Sequence, residues 1–174
     1  MTVVGHIRPM AAGDVDRVAE LETSTYAQPW SAAMFHDELA GRGRTYLVAV
    51  TDDRVVGYGG VMIVGDEAHV TTLVVAPEAR RSRLGMRLML ELVEAAVAGR
   101  SRSLTLEVRE SNAAARTLYE RFGMTSVGRR KQYYRDEDAL IMWVHRIDTA
   151  EYRERLDALA AEIRPTRESS GEGA

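Results

Sequence analysis

The chain has 174 residues, of which 45% are hydrophobic and 28% are charged, and its formal net charge is -3. This length and balance are typical of one globular domain with its own core. The small negative charge gives no electrostatic reason to expect a nucleic acid or an anionic membrane as the main partner. The chain contains no cysteine, which excludes disulfides, thiolate metal ligands and a cysteine nucleophile. Its four histidines are not spaced as metal ligands, so no metal site is expected.

Two features of the sequence predict a cytoplasmic protein. No segment stays apolar over the length that a membrane-spanning helix requires. The N-terminal segment MTVVGHIRPM lacks the apolar centre of a signal peptide. We therefore expect neither a membrane nor a secretory pathway to be involved.

The first half of the chain predicts one short strand, two helices and an antiparallel meander. Residues 6–9 end the first strand, and Ala12-Gly13-Asp14 opens an amphipathic helix. Ser31 is typical of the N-cap of a second helix over the segment AAMFHDELA. Turn residues then separate three strands, which carry the segments YLVAV, VVGYGGVMIV and AHVTTLVVA.

The second half predicts a long helix, a strand, a shorter helix and a last strand. Residues 84–98 are apolar on nearly all sides of the helix, which predicts burial against the sheet. A strand and a helix follow within residues 104–124. Next come a predicted basic turn, Arg129-Arg130-Lys131, and a strand over residues 139–144.

Residues 1–147 are predicted to form the main domain, and residues 148–174 a C-terminal helix and tail. The helix carries a narrow apolar stripe, formed by Tyr152, Leu156, Leu159 and Ile163. Pro165 ends this helix, and the segment TRESSGEGA is typical of a disordered tail. The stripe fits either the chain's own domain or a partner, and the sequence does not define the oligomeric state.

The segment LTLEVRESNAAARTLYERFGM, residues 104–124, carries the most chemistry. Alternation along its strand turns Glu107 away from the packed face, near the carboxyl end where open α/β sheets hold their sites. Ser111 and Asn112 offer N-capping side chains for the helix that follows. Tyr119 lies seven residues after Asn112, so both share one helix face with about 10 Å of rise between them. The segment therefore predicts an acid, an amide and a phenol along one groove.

A second candidate site is the segment VVAPEARRSRLG, in which a strand runs through a turn into a helix N-terminus. Unpaired backbone N–H groups and the helix dipole favour an anion there. Four arginines surround this point and suit a diphosphate: Arg80, Arg81, Arg83 and Arg87. The alternative interpretation is a solvated basic helix start.

Together these segments resemble the GCN5-related N-acetyltransferase (GNAT) family over residues 4–145. The resemblance is carried by PWSAAMF, LEVRESNAAARTLYERFGM and GRRKQYYRDEDALIM, and it is strongest for the RimI-type branch of ribosomal-protein-alanine N-acetyltransferases. It implies an α/β fold whose central mixed sheet begins as an antiparallel meander and is flanked by helices. It also implies acetyl-CoA as co-substrate and the N-terminal α-amine of a ribosomal protein starting with Ala or Ser as acceptor. Since no cysteine is available for an acyl-enzyme, we expect direct transfer in a ternary complex.

The resemblance assigns acetyl-CoA to two main-chain segments and one side chain. The main chain of Leu73, Val74 and Val75 would pair with the pantetheine arm, and Asn112 would hydrogen-bond to it. The pyrophosphate would lie on the turn that comprises Arg81, Ser82, Arg83, Leu84, Gly85 and Met86.

The resemblance also implies the chemical roles of the acid and the phenol. Glu107 would be the general base, acting through water on the incoming ammonium, and Tyr119 the general acid for the departing thiolate. A salt bridge for Glu107 and helix packing for Tyr119 are the structural alternatives. Asp66 and Glu67, in a turn before the site strand, are a rival source of a base, although such residues are common in turns.

Three aromatic residues are candidates for substrate binding. Tyr133 and Tyr134 resemble a tyrosine pair that holds a substrate N-terminus, and core packing is their alternative role. Trp30 fits either the peptide groove or packing between the first helices, and we favour packing. The basic triplet after residue 128 suits an acidic substrate or ribosomal RNA, and a solvated turn is the simpler interpretation.

One residue departs from the family pattern. The phosphate turn of the family runs Arg/Gln-x-x-Gly-x-Gly/Ala, and Arg83 stands at its middle glycine. Glycine lets the backbone approach phosphates without a Cβ in the way. Arginine would either obstruct that approach or grip a phosphate with its guanidinium.

Two other functions remain open at this level. The first is a GNAT transferase that acts on a small amine or a lysine, and the PW segment and the tyrosine pair argue against it. The second is a non-catalytic module that binds acetyl-CoA, and the presence of Glu107 and Tyr119 argues against it.

Overall fold

The computed structural model describes residues 5–163. The predicted disordered tail therefore lies outside the described residues. Among residues 5–163, seven strands form one sheet: β1 His6–Pro9, β2 Arg44–Thr51, β3 Arg54–Val64, β4 Glu67–Val75, β5 Ser103–Arg109, β6 Thr125–Tyr134 and β7 Glu137–His145. In the same part of the chain, five α-helices accompany the sheet: α1 Val15–Thr25, α2 Ala32–Ala40, α3 Leu84–Ala98, α4 Ala113–Arg121 and α5 Ala150–Ile163.

The sheet is mixed, with the strand order β1-β2-β3-β4-β5-β7-β6. Strands β1 to β4 form the predicted antiparallel meander. Helix α3 then connects β4 to β5, and these two strands are parallel. Strand β7 is antiparallel to both of its neighbours, β5 and β6. The predicted α/β fold is confirmed.

Helices cover both faces of the meander. Tyr58 of β3 points to one face, where its ring packs edge-on against Phe35 of α2 at 5.9 Å between centroids. Gly59 faces the opposite side, where a Cβ would lie 2.9 Å from Leu92 Cδ1 of α3. Glycine at this strand position therefore lets α3 pack closely on the sheet.

The C-terminal helix α5 packs on the chain's own domain. Its apolar stripe is buried and belongs to the main hydrophobic core. The Tyr152 hydroxyl donates to the Phe122 carbonyl at 2.7 Å, and Arg153 pairs with Glu94 of α3 at 3.0 Å. The apolar stripe of α5 is therefore buried against other residues of the same chain.

The prediction of a basic turn at residues 129–131 is wrong. These residues lie inside strand β6, and its hairpin with β7 turns after Tyr134. Strand β6 is an exposed edge strand with two register irregularities, and Gln132 has a left-handed φ of 51°. An uncovered, bulged strand shows no alternation of apolar and polar residues, so its sequence resembles a turn.

Within the described part of the chain, no helix has the length and apolar character needed to cross a membrane.

Candidate active site

The site lies where strands β4 and β5 separate. Their parallel pairing covers three residues of each strand and ends at His69 and Thr105. Strand β4 continues to Val75 and strand β5 to Arg109. Beyond the last pair the two strands diverge, which leaves a gap in the middle of the sheet.

The β3 ladder determines which main-chain groups of β4 face this gap. The Ala76 N–H donates to the Val56 carbonyl at 2.7 Å. Because bonding direction alternates along an antiparallel pair, Val74 also bonds to β3. Leu73 and Val75 therefore turn their N–H and C=O groups toward the gap. Of the three residues predicted to pair with pantetheine, Leu73 and Val75 therefore face the gap, and Val74 faces β3.

A β-bulge marks the same part of β4. Gly60 pairs with Thr72 and Val61 with Val70, so Thr71 is an extra residue on β4. Bulges redirect side chains and are frequent beside active sites.

A cavity of about 600 Å³ opens at the gap. Its walls come from α1, β4, β5, α4 and the β6–β7 hairpin. It brings together seven of the predicted site residues: Trp30, Leu73, Glu107, Asn112, Tyr119, Tyr133 and Tyr134. The turn at residues 81–86 lies outside this lining, at the start of α3.

Glu107 reaches the cavity as the alternation of β5 predicts. Its carboxylate Oε2 lies 2.6 Å from His69 Nε2, and Oε1 lies 3.5 Å from the Arg130 guanidinium. The hydrogen bond to His69 lowers the pKa of the Glu107 carboxyl, the charges of His69 and Arg130 lower it further, and burial opposes them. The net pKa is below the ordinary value, so Glu107 is an ionised carboxylate at neutral pH.

Tyr119 is nearly buried in α4 and lines the same cavity. Burial raises the pKa of the Tyr119 phenol, and its coupling to the neighbouring phenols of Tyr26 and Tyr134 acts in the same direction. The phenol is therefore protonated throughout the neutral range and can donate a hydrogen bond.

The tyrosine pair lies at the cavity and outside the core. Tyr133 and Tyr134 meet edge to face with 5.2 Å between ring centroids, and Tyr133 is 48% exposed. The Arg109 guanidinium lies 4.2 Å from the Tyr134 ring centroid, and Arg130 lies 5.7 Å from that of Tyr133. These cation–π contacts fix the two rings at the end of β6.

Trp30 lies between the cavity and the packing of the first helices. It lines the cavity, and its ring packs on Phe35 at 5.5 Å between centroids. Its backbone N–H points to Glu22 Oε1 at 3.5 Å.

Glu22 is a cavity residue that the sequence interpretation missed. It is 5% exposed and accepts a hydrogen bond from the Tyr58 hydroxyl. Burial raises the pKa of the Glu22 carboxyl, with the hydrogen bonds from Tyr58 and Trp30 opposing it. The sequence signal for Glu22 was its helical spacing, which puts this carboxylate on the same face of α1 as the buried Val15 and Val18.

His69 was missed as well. Its contact with Glu107 joins two strands that are distant in sequence, and it depends on their parallel register. The alternation of residues within a strand does not predict how that strand pairs with its neighbour.

Asn112 caps helix α4 as predicted. Its Oδ1 accepts from the Ala115 N–H at 3.1 Å. This bond leaves the Nδ2 amide hydrogens as the donors available to a ligand. Ser111 instead donates to Glu137 at 2.7 Å and fixes the loop before the helix.

The arginine turn presents an uncapped helix N-terminus. Arg83 is the N-cap of α3, and its own side chain makes no capping hydrogen bond. Arg81 and Arg83 have left-handed φ angles of 67° and 62°. Arg81, Ser82 and Arg83 are exposed, whereas Arg87 donates to the Gly5 carbonyl at 2.6 Å.

The Arg83 side chain points to the C-terminal helix. Its guanidinium donates to the Glu162 carbonyl in the last turn of α5 at 2.7 Å. Its backbone adopts the left-handed region that glycine enters at no steric cost. The turn therefore keeps a glycine-like backbone while the side chain is engaged elsewhere.

The rival acids lie outside the cavity that holds Glu107. Asp66 and Glu67 line a separate depression with Arg102, Trp143 and His145. The Asp66 carbonyl accepts the N–H of Arg102, just before β5, at 2.7 Å.

Comparisons with known proteins identify the family of this chain. The sequence profile of the acetyltransferase (GNAT) family matches residues 15–124. A Bacillus subtilis (strain 168) protein, provisionally named ribosomal protein bS18-alanine N-acetyltransferase, is 43% identical over 141 residues, which are 79% of this chain and 93% of the relative.

Solved structures show the same fold. The crystal structure of the ribosomal-protein-S18-alanine N-acetyltransferase from Escherichia coli has a TM-score of 0.74 and 29% identity, with 82% of this chain and 94% of that chain covered. A phosphinothricin acetyltransferase from Sinorhizobium meliloti, solved in complex with AcCoA, has a TM-score of 0.70 and 21% identity, with 83% and 89% covered. Because the family profile and the Bacillus relative each span most of the sequence, this chain belongs to the acetyltransferase (GNAT) family.

Proposed function

We propose that this protein uses acetyl-CoA to acetylate the N-terminal α-amine of a protein, with a ribosomal protein that begins with Ala or Ser as its substrate. The names of the Bacillus and Escherichia relatives support this substrate class. The observation that carries the proposal is the cavity at the β4–β5 gap, which holds an ionised carboxylate and a protonated phenol.

The residues present fit acetyl-CoA. Leu73 and Val75 offer main-chain donors and acceptors at the edge of the gap, and Asn112 offers its Nδ2 hydrogens. The uncapped start of α3, with exposed Arg81 nearby, suits a diphosphate. When bound, acetyl-CoA supplies an acetyl group activated as a thioester.

Glu107 would act as the general base, through a water molecule. An α-amine has an unperturbed pKa of about 8, whereas that of lysine is about 10.4. Because the pKa of Glu107 is lowered, it is a weak base, and the more acidic α-ammonium is the more suitable proton donor. This difference favours a protein N-terminus over a lysine side chain.

Tyr119 would act as the general acid toward the departing thiolate. Its raised phenol pKa keeps the proton available on the hydroxyl at neutral pH. This role is supported by the position of Tyr119 in the cavity wall, on the helix that Asn112 caps.

The substrate N-terminus would enter between Trp30 and the tyrosine pair. These aromatic side chains line the cavity from the first helices and from the end of β6. Tyr133 is exposed, so it can contact the residues that follow the acetylated one. We expect this reaction in the cytoplasm, with a protein substrate and with neither a metal ion nor a nucleic acid taking part.

The experiment combines binding with turnover. Acetyl-CoA is titrated calorimetrically, and release of the CoA thiol is followed with a library of peptides that differ in their first residue. We expect micromolar or tighter binding and turnover that is fastest with Ala and Ser. Binding without thiol release across the library would contradict the proposal and identify a non-catalytic module.

A further inference from the structure

Glu107 is held by an imidazole that the proposed chemistry does not use. His69 Nε2 lies 2.6 Å from Glu107 Oε2, and both side chains line the cavity. The His69 side chain is 32% exposed and that of Glu107 is 11% exposed. The bond is therefore partly shielded from water, where a charge-assisted hydrogen bond is stronger than on an open surface.

The strands alone do not hold this carboxylate. Glu107 lies two residues beyond Thr105, which is the last β5 residue that pairs with β4. The β4 ladder has ended at this point, so it does not hold the β5 backbone beside Glu107. The other ionic contact, from Arg130, is longer at 3.5 Å, and the Arg130 side chain is 56% exposed. His69 is thus the firmest restraint on the carboxylate.

We propose that His69 is a positioning residue for acetyl transfer. It donates its Nε2–H to Oε2 of Glu107 and fixes the carboxylate so that its remaining lone pairs face the amine site. This inference rests on the proposed function and goes beyond it by assigning a role to a β4 side chain.

The physical basis of this role is orientation. A carboxylate oxygen must lie within hydrogen-bond distance of the proton that it accepts, directly or through one water. Small misplacements of a reacting group reduce the rate because fewer bound complexes have reactive geometry. The same hydrogen bond also favours the ionised form of Glu107, consistent with its lowered pKa.

Two substitutions separate hydrogen-bond donation from the mere presence of a ring. His69→Ala removes the donor, and we expect kcat to fall on the order of tenfold, with the KM of peptide and acetyl-CoA nearly unchanged. His69→Gln places an amide N–H near the former Nε2 position, and we expect it to restore most of kcat. His6→Ala, which removes an exposed imidazole from strand β1, is the matched control and should leave kcat unchanged.

A double-mutant cycle with Glu107 tests whether His69 acts through the carboxylate. In a Glu107→Gln background, His69→Ala should cause little further loss, because the group that it orients has gone. Equal losses in both backgrounds would overturn the inference. So would full activity of His69→Ala, or failure of His69→Gln to restore kcat.

The control measurements separate this inference from the proposed function. Acetyl-CoA affinity and the thermal midpoint are measured for each variant, and His69→Gln is compared with wild type alone if His69→Ala does not fold. If the wild type turns over and His69→Ala turns over at the same rate, only the positioning role is overturned. Absence of wild-type turnover over all peptides would overturn the proposed function, and the positioning role with it.

Discussion

The Glu107 carboxylate is partly buried and nevertheless ionised. Burial alone would raise the pKa of its carboxyl, but His69 and Arg130 reverse the shift. The Glu107 carboxylate is therefore already ionised throughout the pH range in which a protein N-terminus loses its proton. As a result, the pH dependence of turnover should reflect the amine and not the carboxylate.

Glu107→Gln keeps the side-chain volume and removes the charge. We expect kcat to fall on the order of 100-fold, while the dissociation constant of acetyl-CoA stays within a factor of about two. Steady-state kinetics and calorimetric titration measure the two quantities. Unchanged turnover would remove Glu107 as the base.

Glu22 is a buried carboxylate whose pKa shift has the opposite direction. Burial raises the pKa of Glu22 in the folded state above its value in the unfolded state. The stabilisation from Glu22 is therefore complete below its unfolded-state pKa and is lost as the pH rises through its folded-state pKa. Glu22→Gln removes the buried charge and retains an acceptor for the Tyr58 hydroxyl.

We therefore expect Glu22→Gln to raise the thermal midpoint at pH 8 by about 2–4 °C, the shift that 1 kcal/mol produces in a chain of this size. The gain should shrink toward zero below pH 4. Thermal unfolding at a series of pH values measures it. A lower midpoint at pH 8 would show that the ionised carboxylate is stabilising, contrary to the direction of its pKa shift.

Arg83 has a left-handed backbone conformation, which glycine adopts most easily, and its guanidinium donates to a carbonyl at the end of α5. Arg83→Gly should leave acetyl-CoA affinity within about threefold, because the Arg83 guanidinium donates to the Glu162 carbonyl of α5. Loss of that hydrogen bond should lower the free energy of unfolding by about 0.5–1.5 kcal/mol. The last turn of α5 should then exchange its amide hydrogens faster.

Arg83→Met is the matched control, because it keeps the Cβ and removes the guanidinium. Calorimetry and hydrogen exchange follow both variants. Affinity that is much tighter in Arg83→Gly alone would show that the Cβ obstructs the phosphates. Affinity that is much weaker in both variants would show that the guanidinium grips them.

Helices and strands with regular periodicity were predictable from the sequence. The meander, the buried helix α3 and the Asn112 cap of α4 all follow from alternation, helical spacing or capping chemistry. Strand β6 was not predictable, because an exposed edge strand carries no buried face to impose a pattern. Its residues 129–131 therefore resembled a turn.

The candidate site was predictable only in part, for a related reason. Glu107, Asn112 and Tyr119 lie in one segment, so local periodicity brings them to one groove. His69 and Glu22 reach the same cavity through the β4–β5 register and the docking of α1. Such contacts depend on how elements pair, which a single sequence does not state.

Helix α5 should contribute directly to the stability of the domain. Leu156 is 1% exposed within the core, so Leu156→Ala should lower the free energy of unfolding by about 2–5 kcal/mol. Glu154→Ala, on the exposed face of the same helix, should change it by less than about 0.5 kcal/mol. Urea unfolding measures both. A Leu156→Ala effect as small as that of Glu154→Ala would show that α5 is not part of the cooperative fold.

At the scale of the whole molecule, one break in the sheet organises the site. The β4–β5 gap exposes main-chain groups of β4, and the bulge at Thr71, helix α4 and the β6–β7 hairpin converge on the same opening. The carboxylate and the phenol of the proposed mechanism both line this opening. The central claim is that this opening serves a protein N-terminus.

The most direct test uses one peptide that offers both amines. A peptide with a free N-terminal alanine and a single internal lysine is incubated with acetyl-CoA and the protein, and fragmentation mass spectrometry locates the acetyl group. Our account predicts acetylation of the α-amine, with the lysine left free. Acetylation of the lysine, or equal acetylation of both amines, would contradict it.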